Sequence, residues 1–339
     1  MSRFVLLLAA LLGPGQALAF DQQSLLKVFF SVVLVRGYDA EGNMAYGSGV
    51  VVAENQVATN CHVLRKTTRA WISQAEEVYP IVSIHADPHH DLCLLNVERL
   101  PLQPVQVAKA SEIAKGDEVV SIGHSNGVLT PLTSGGHVKS LYPFEGGMVV
   151  RTNARFGLGA SGSPLFDGNG RLLGINTFKT PGRTAYFYAI PAEWIAAVVK
   201  TPASSKLPIA GKMFWEQEDA SKPFFMQVAL PHINEDWPKL LEVSQRWIES
   251  EPLNAEAWYE LGMAQEGMGN KDKAQESFRK SVAINARHSE SLYRLGIFAS
   301  ERGDRDEVQQ VSLILAKIDA ELADHFNKAV SQSGSATKP

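Results

Sequence analysis

Three short stretches of this sequence hold side chains that together could carry out acyl transfer. His62 follows a short apolar run (Ala58-Thr59-Asn60-Cys61-His62-Val63), Asp91 opens another (His90-Asp91-Leu92-Cys93-Leu94-Leu95), and Ser161 sits in the glycine-rich stretch Gly157-Leu158-Gly159-Ala160-Ser161-Gly162-Ser163-Pro164-Leu165-Phe166. A serine hydroxyl is a weak nucleophile at neutral pH and needs a base beside it. An imidazole can take that proton and return it, because its ordinary pKa lies near neutrality. A buried carboxylate keeps the imidazole in the useful tautomer and stabilises the imidazolium that forms. The oxyanion that develops on the substrate needs N–H donors already aimed at it, and a glycine-rich turn can aim them. The backbone amides of Gly159 and Ser161 are placed for that task, and Gly162 leaves room for close backbone approach. Taken singly each stretch is weak: a lone histidine after a strand is usually structural, and most glycine-rich turns are only turns.

The elements that must position these groups fall into two halves. Over residues 31–190 short apolar runs alternate with Gly, Asp and Asn, which predicts strands at 31–38, 49–53, 57–59, 71–73, 78–85, 92–97, 118–122, 136–141, 148–152, 164–166, 172–177 and 185–190. Asp167-Gly168-Asn169-Gly170 between two such runs is a strong hairpin signal. Twelve short strands with regular turns describe an all-β barrel or sandwich. Residues 191–200 then read as a helix with Pro191 at its start. Residues 201–233 carry four prolines and little periodicity and are expected to be a connector, parts of which (Met213-Phe214-Trp215 and Phe224-Phe225-Met226) are apolar enough to pack on a domain. From 234 onward the period is helical, and a 34-residue repeat takes Trp258, Leu261, Gly262, Gly269, Ala274 and Phe278 to Leu292, Leu295, Gly296, Gly303, Val308 and Ser312. That period, with W-x2-L-G near its start, is the tetratricopeptide signature. The second copy is looser, and a generic pair of helical hairpins is the plainer alternative. Leu240, Trp247 and Pro252 occupy matching positions in a preceding partial repeat, which predicts a leading helix over 236–249. Gly262 and Gly296 mark places where paired helices must approach closely. The small, polar residues 331–339 are expected to be disordered.

The order His, Asp, Ser inside an all-β pattern is that of the chymotrypsin arrangement, not of the subtilisin or α/β-hydrolase ones. From about residue 30 to 197 the sequence resembles the trypsin/chymotrypsin-like serine proteases, and within them the HtrA-like branch. The resemblance is carried by Tyr46-Gly47-Ser48-Gly49-Val50-Val51, Thr59-Asn60-Cys61-His62-Val63, Asp91-Leu92-Cys93-Leu94-Leu95, Arg151-Thr152-Asn153-Ala154, Gly159-Ala160-Ser161-Gly162-Ser163-Pro164-Leu165, Gly174-Ile175-Asn176-Thr177 and Tyr186-Phe187-Tyr188-Ala189-Ile190-Pro191. It implies two six-stranded β-barrels with His62 as base, Asp91 as orienting acid and Ser161 as nucleophile in the cleft between them, and the Gly159 and Ser161 amides as oxyanion hole. Departures are informative. Helical repeats stand where the branch usually has PDZ domains. Ser163 stands where many relatives have glycine. Ala160 replaces the zymogen aspartate, so activation by a new N-terminus is not expected. Arg155, six residues before Ser161, occupies the position of the trypsin-type acidic residue at the pocket floor, so cleavage after Lys or Arg is not expected. Arg155 either meets substrate, favouring an acidic P1 side chain, or points outward; Asn176 and Thr177 are the other expected pocket residues. Cys61 and Cys93 flank the base and the acid, and because those two must touch, a disulfide between the cysteines would staple them; packed free thiols are the alternative.

Composition bounds the rest. The chain has 339 residues, of which 45% are hydrophobic and 20% charged, with a net charge of −4. That is globular usage, which excludes a disordered chain. The mild negative charge argues against nucleic acid as a partner. Arg3, the apolar run 4–12, Gly13-Pro14-Gly15 and Ala17-Leu18-Ala19 form a secretory signal peptide cleaved after Ala19, too short an apolar run to remain as a membrane anchor. The expected organisation is a signal peptide (1–19), a trypsin-like serine protease domain (20–200), a connector (201–233), a tetratricopeptide-like domain (234–330) and a tail (331–339). The expected function is that of an exported serine endopeptidase, periplasmic or secreted, without a cofactor, acting on protein or peptide substrates, with a further protein or peptide ligand in the helical groove. The rival is a silent or latent protease fold that acts as a binding scaffold. His85, Asp87, His89 and His90 crowd ahead of Asp91, but read as a solvated turn rather than a metal site; no metal is expected.

Overall fold

Twelve antiparallel strands grow from the β-branched runs of the first half: β1 (Val32–Tyr38), β2 (Met44–Ala53), β3 (Gln56–Thr59), β4 (Arg69–Gln74), β5 (Glu77–Asp87), β6 (Leu92–Val97), β7 (Glu118–Gly123), β8 (Leu132–Phe144), β9 (Gly147–Thr152), β10 (Pro164–Asp167), β11 (Leu172–Lys179) and β12 (Phe187–Pro191). The structure is a computed structural model that describes residues 22–182 and 185–335; the expected signal peptide lies outside the described residues. The strands close into two barrels, β1-β2-β3-β6-β5-β4 and β10-β11-β12-β9-β8-β7. Closure removes free sheet edges and buries one side chain in two along each strand. Val33, Val35, Val57, Leu64, Ile72, Cys93 and Leu95 fill the first barrel, and Val119, Val138, Val150, Leu165 and Ala189 the second. The predicted hairpin after β10 forms, with Asp167 Oδ1 accepting from the amides of Asn169 and Arg171 at 3.0 and 2.7 Å.

A short helix, α1 (Gln22–Phe29), precedes the first barrel. The helix expected at 191–200 is a 3-10 turn at Ala192–Trp194 running into α2 (Ile195–Val198). The connector is not devoid of structure. It carries α3 (Phe224–Gln227) and α4 (Ala229–Ile233), and Phe225 stacks on Tyr142 of β8 with ring centroids 4.6 Å apart. Six helices in all follow, of which α5 (Trp237–Ser250) starts at the Asp236 cap, whose carboxylate accepts from Lys239 N–H at 3.2 Å. The remaining five are α6 (Ala255–Gly267), α7 (Lys271–Ile284), α8 (Ser289–Arg302), α9 (Arg305–Ile318) and α10 (Ala320–Ser335). A Cβ on Gly262 would lie 2.5 Å from the Phe278 ring, so only glycine lets α6 and α7 pack this closely. In the second repeat Ser312 lacks the aromatic that Phe278 supplies in the first. Phe326 of α10 takes its place, its ring 2.5 Å from where a Gly296 Cβ would be. The expectation of a disordered tail from 331 is corrected for residues 331–335, which continue α10: Val330 packs on the apolar cluster around Phe326 and holds the helix past the polar residues.

The helical array lies against the second barrel rather than beside it. Nine of the 13 residues of α6 are buried, because it packs between α5 and α7. Lys115, just before β7, is 8% exposed and reaches Glu256 Oε1 at 3.0 Å and Glu290 Oε2 at 2.5 Å. His288 Nε2 lies 3.3 Å from the same Glu256 oxygen. Lys139 of β8 meets Glu321 of α10 at 3.2 Å.

Candidate active site

His62 sits in the 3-10 turn Cys61–Leu64 that follows β3, and Asp91 in the turn between β5 and β6. Pairing of β3 with β6, in which Thr59 opposes Cys93, sets the two turns side by side. Asp91 is fully buried and holds a left-handed backbone at φ 58°, a conformation that aspartate tolerates better than most residues. Its Oδ1 accepts from His62 N–H at 2.8 Å, and its Oδ2 lies 2.6 Å from His62 Nδ1. The ring orientation and the tautomer with a proton on Nδ1 are therefore set by one carboxylate, and Nε2 is left to face the cleft. Cys61 and Cys93 form a disulfide behind this pair. Chain-entropy arithmetic for a closed loop with a sequence separation of 32 assigns it about 3–4 kcal/mol. A Cys61→Ala, Cys93→Ala double variant should lose about that much in urea unfolding; an unchanged midpoint would show that strand pairing alone holds the two turns.

Ser161 follows β9 in the turn that leads into β10. Ser48 of β2 ties this turn to the first barrel: its N–H donates to Ser161 O at 2.8 Å and its Oγ to Gly159 O at 2.9 Å. Ser48 Oγ accepts in turn from His124 N–H at 2.9 Å. Gly162, at φ 84°, leaves no space for a side chain, since a Cβ would lie 2.2 Å from Ser48 O. Gly159 is also left-handed, at φ 83°, against the Tyr46 ring. Burial lowers the His124 pKa and keeps that imidazole neutral beside the turn. Ser161 Oγ has no hydrogen-bond partner among the described residues, so the bond to His62 Nε2 is not formed here; such bonds commonly tighten only when substrate is present.

Two of the expected pocket residues are not pocket walls. Asn176 is fully buried, and its Nδ2 donates to Ser121 Oγ and Ser163 Oγ at 2.8 and 3.0 Å, cross-linking strands inside the second barrel. Thr177 is 4% exposed, and its Oγ1 accepts from Asn60 Nδ2 at 2.9 Å and donates to Ile175 O at 2.8 Å. Beside the register shift between Asn176 and Phe178, Asn176 turns into its own barrel and Thr177 meets Asn60 of the first. Arg155 is exposed, so the structure gives no support to an acidic P1 pocket built on it.

Sequence reasoning missed two neighbours of the dyad. Asn60 Nδ2 donates to Asp91 O at 3.0 Å. Trp215, from the connector, donates its indole N–H to Asp91 Oδ2 at 3.3 Å and lies edge-on to His62 with ring centroids 5.7 Å apart. The next residue, Glu216, takes both carboxylate oxygens to Arg65 Nη1 at 2.7 Å, clamping the connector to the His62 turn. The signal was the apolar triplet at 213–215, visible as a packing segment but not as a partner of Asp91. A cavity of about 580 Å³ opens beside Trp215, walled by β11, the connector and α5 and lined by Phe178, Lys179, Lys222 and Arg246.

Two six-stranded barrels with a buried Asp–His pair and a glycine-framed serine define a chymotrypsin-like protease fold. Residues 47–175 match the trypsin-like peptidase domain and residues 255–288 the tetratricopeptide repeat. Relatives include the anti-sigma-I factor RsgI9 of Acetivibrio thermocellus, 29% identical over 174 residues, which are 50% of this chain and 24% of that protein. The periplasmic serine endoprotease DegP of Salmonella typhimurium is 29% identical over 165 residues, 45% of this chain and 34% of that one. The chain thus spans about a third or less of the length of these relatives. Among solved structures, the active form of the Rv3671c protease from M. tuberculosis superposes with a TM-score of 0.51 at 22% identity, covering 57% of this chain and 89% of that one, which shows a shared fold. Residues 47–175 are therefore similar to trypsin-like peptidase domains, with relatives among the HtrA-type proteases, and residues 255–288 to the tetratricopeptide repeat.

Proposed function

We propose that the protein is an exported serine endopeptidase, periplasmic or secreted, in which Ser161 is the nucleophile, His62 the base and Asp91 the acid that orients it. The observation that carries this reading is the dyad, a fully buried Asp91 holding His62 by both ring nitrogen and backbone, with the Ser161 turn tied to the same barrel through Ser48. His62 Nε2 takes the Ser161 proton as Oγ attacks the scissile carbonyl, and returns it to the leaving amine. The Gly159 and Ser161 amides receive the oxyanion. Water activated by the same imidazole then frees the acyl group. The disulfide beside the dyad and the relation to a periplasmic endoprotease support export. The helical domain, tied to the second barrel through Lys115 and Lys139, serves as a docked arm. Protein recruitment falls to the faces it leaves open.

The test is fluorophosphonate labelling of the full chain beside a Ser161→Ala control. Labelling of the wild type alone supports the reading. Absence of labelling in both favours a latent form, the state in which the His62–Ser161 bond stays unformed. Trp215 is a positioning residue in this reading. Trp215→Phe keeps the ring and removes the N–H, and its bond at 3.3 Å is long, so the loss belongs at the low end of the range for hydrogen bonds to charged groups. The expected result is a fall in kcat of about tenfold with KM unchanged. A rise in KM alone would make Trp215 a substrate contact instead.

A further inference from the structure

The turn before Asp91 is not only solvated. The β8–β9 hairpin of the second barrel carries Glu145 to it, so that Glu145 Oε1 lies 3.2 Å from His89 Nε2 and Oε2 lies 2.8 Å from His90 Nε2. The three side chains can each present one ligand atom, all within 4.8 Å of one another. His90 is fixed from behind: its Nδ1 lies 2.6 Å from Asp87 Oδ2, and its ring packs on Trp194 with centroids 4.0 Å apart. With the Nδ1 proton held by Asp87, Nε2 faces a carboxylate oxygen, and that contact is attractive only with a proton or a metal cation between the two atoms. An imidazole backed by a carboxylate is also the usual outer arrangement of a metal-bound histidine.

We propose that His89, His90 and Glu145 bind a divalent transition metal of the zinc class. Zinc takes imidazole nitrogen and carboxylate oxygen at about 2.0–2.2 Å in tetrahedral sites, which sets its ligand atoms about 3.3 Å apart. The 3.2 Å separation matches that spacing, the 2.8 Å one must open by about 0.5 Å, and all three ligand atoms lie within 4.8 Å of one another. His89 and Glu145 are about half exposed (47% and 45%) and have room to adjust, whereas His90 is held. Such an ion would join the β5–β6 turn of the first barrel to the β8–β9 turn of the second, one residue before the acid of the dyad. It would clamp the two walls of the cleft without touching the reacting atoms.

The test is calorimetric titration of the metal-stripped full chain with zinc chloride, in a Ser161→Ala background that prevents self-digestion. One equivalent should bind, and zinc should raise the melting temperature. His89→Ala and Glu145→Gln should each lose that equivalent and that shift, with unchanged circular dichroism. Asp87→Asn, which leaves all three ligands in place, should weaken binding by about 10–100-fold. Zinc binding that survives Glu145→Gln belongs elsewhere, His62 included, and overturns the proposal. A wild type that takes up no zinc near neutral pH overturns it too, and assigns the place between His90 and Glu145 to a proton.

Discussion

Ser161→Ala should lower kcat on a cleavable peptide by about 10⁶-fold while leaving KM within a fewfold, because the proposed triad would act as a unit and its removal would leave only binding and oxyanion contacts. The size of the effect follows from the geometry. Asp91 spends one oxygen on the His62 amide and the other on Nδ1, so the imidazole has one free nitrogen and one orientation. Without the hydroxyl that nitrogen has no proton to move. Asp91→Asn should approach the same loss by a different route, since an amide at this position can present its N–H to His62 Nδ1 and turn the tautomer over. Steady-state kinetics on the full chain, with mass spectrometry to detect the acyl-enzyme, checks both. A Ser161→Ala variant that keeps more than about a hundredth of the wild-type kcat would show that Ser161 is not the nucleophile.

Lys115→Met should detach or loosen the helical array at a cost of about 3–5 kcal/mol, the range for removing one partner from a buried ion pair. Lys115 stands between two carboxylates. Burial disfavours its charge, but Glu256 and Glu290 outweigh that and raise its pKa above 10.5. Burial works the same way on the acids: it opposes their ionisation, yet Lys115 and His288 hold Glu256 well below 4.5, and Lys115 holds Glu290 below it as well. The signs define a plateau. The carboxylates, depressed in the folded state, contribute fully above about pH 4.5 and lose that contribution as pH falls through their folded values. The lysine, raised in the folded state, contributes fully below about 10.5 and loses it as pH rises through its folded value. Limited proteolysis and urea unfolding at pH 7 should therefore show a weakened array in Lys115→Met, and acidification below about pH 4.5 should do the same to the wild type. A triple variant that also makes Glu256 and Glu290 leucine should recover part of the loss, because the lysine's two carboxylates go with it, while buried Arg151 and His288 lose Glu256 as a neighbour. Failure of that recovery would mean that the lysine acts through packing rather than through its charge.

The residues proposed to react were legible as candidates because each lies in a local pattern. A histidine after a strand, an aspartate before one and a serine between glycines are short-range facts, and twelve strands followed by a 34-residue repeat are periodic ones. The paired cysteines could be placed beside the dyad but not joined from sequence, since bonding and packing require the same proximity. Direction within a strand was less legible. Asn176 and Thr177 lie on the expected strand, yet beside a register shift Asn176 turns into its own barrel and Thr177 meets Asn60 of the first. Alternation along a strand marks two faces without saying which is inward, and a one-residue shift exchanges them.

What the sequence determined by itself was the chemistry on offer and the elements that carry it: His62, Asp91 and Ser161, the two β-barrels, and a helical repeat whose glycines permit close packing. What only the tertiary structure decided was which distant groups meet. Trp215 reaches Asp91 across 124 residues, Glu145 reaches His90 across 55, and Lys115 reaches Glu256 across 141. The physical reason is common to all three. Hydrogen bonding and side-chain periodicity act over a few residues and leave a pattern in the chain. The docking of one barrel on the other, and of the helices on both, is driven by apolar burial that has no direction and no period. The polar pairs trapped at those surfaces become visible only once the surfaces have closed.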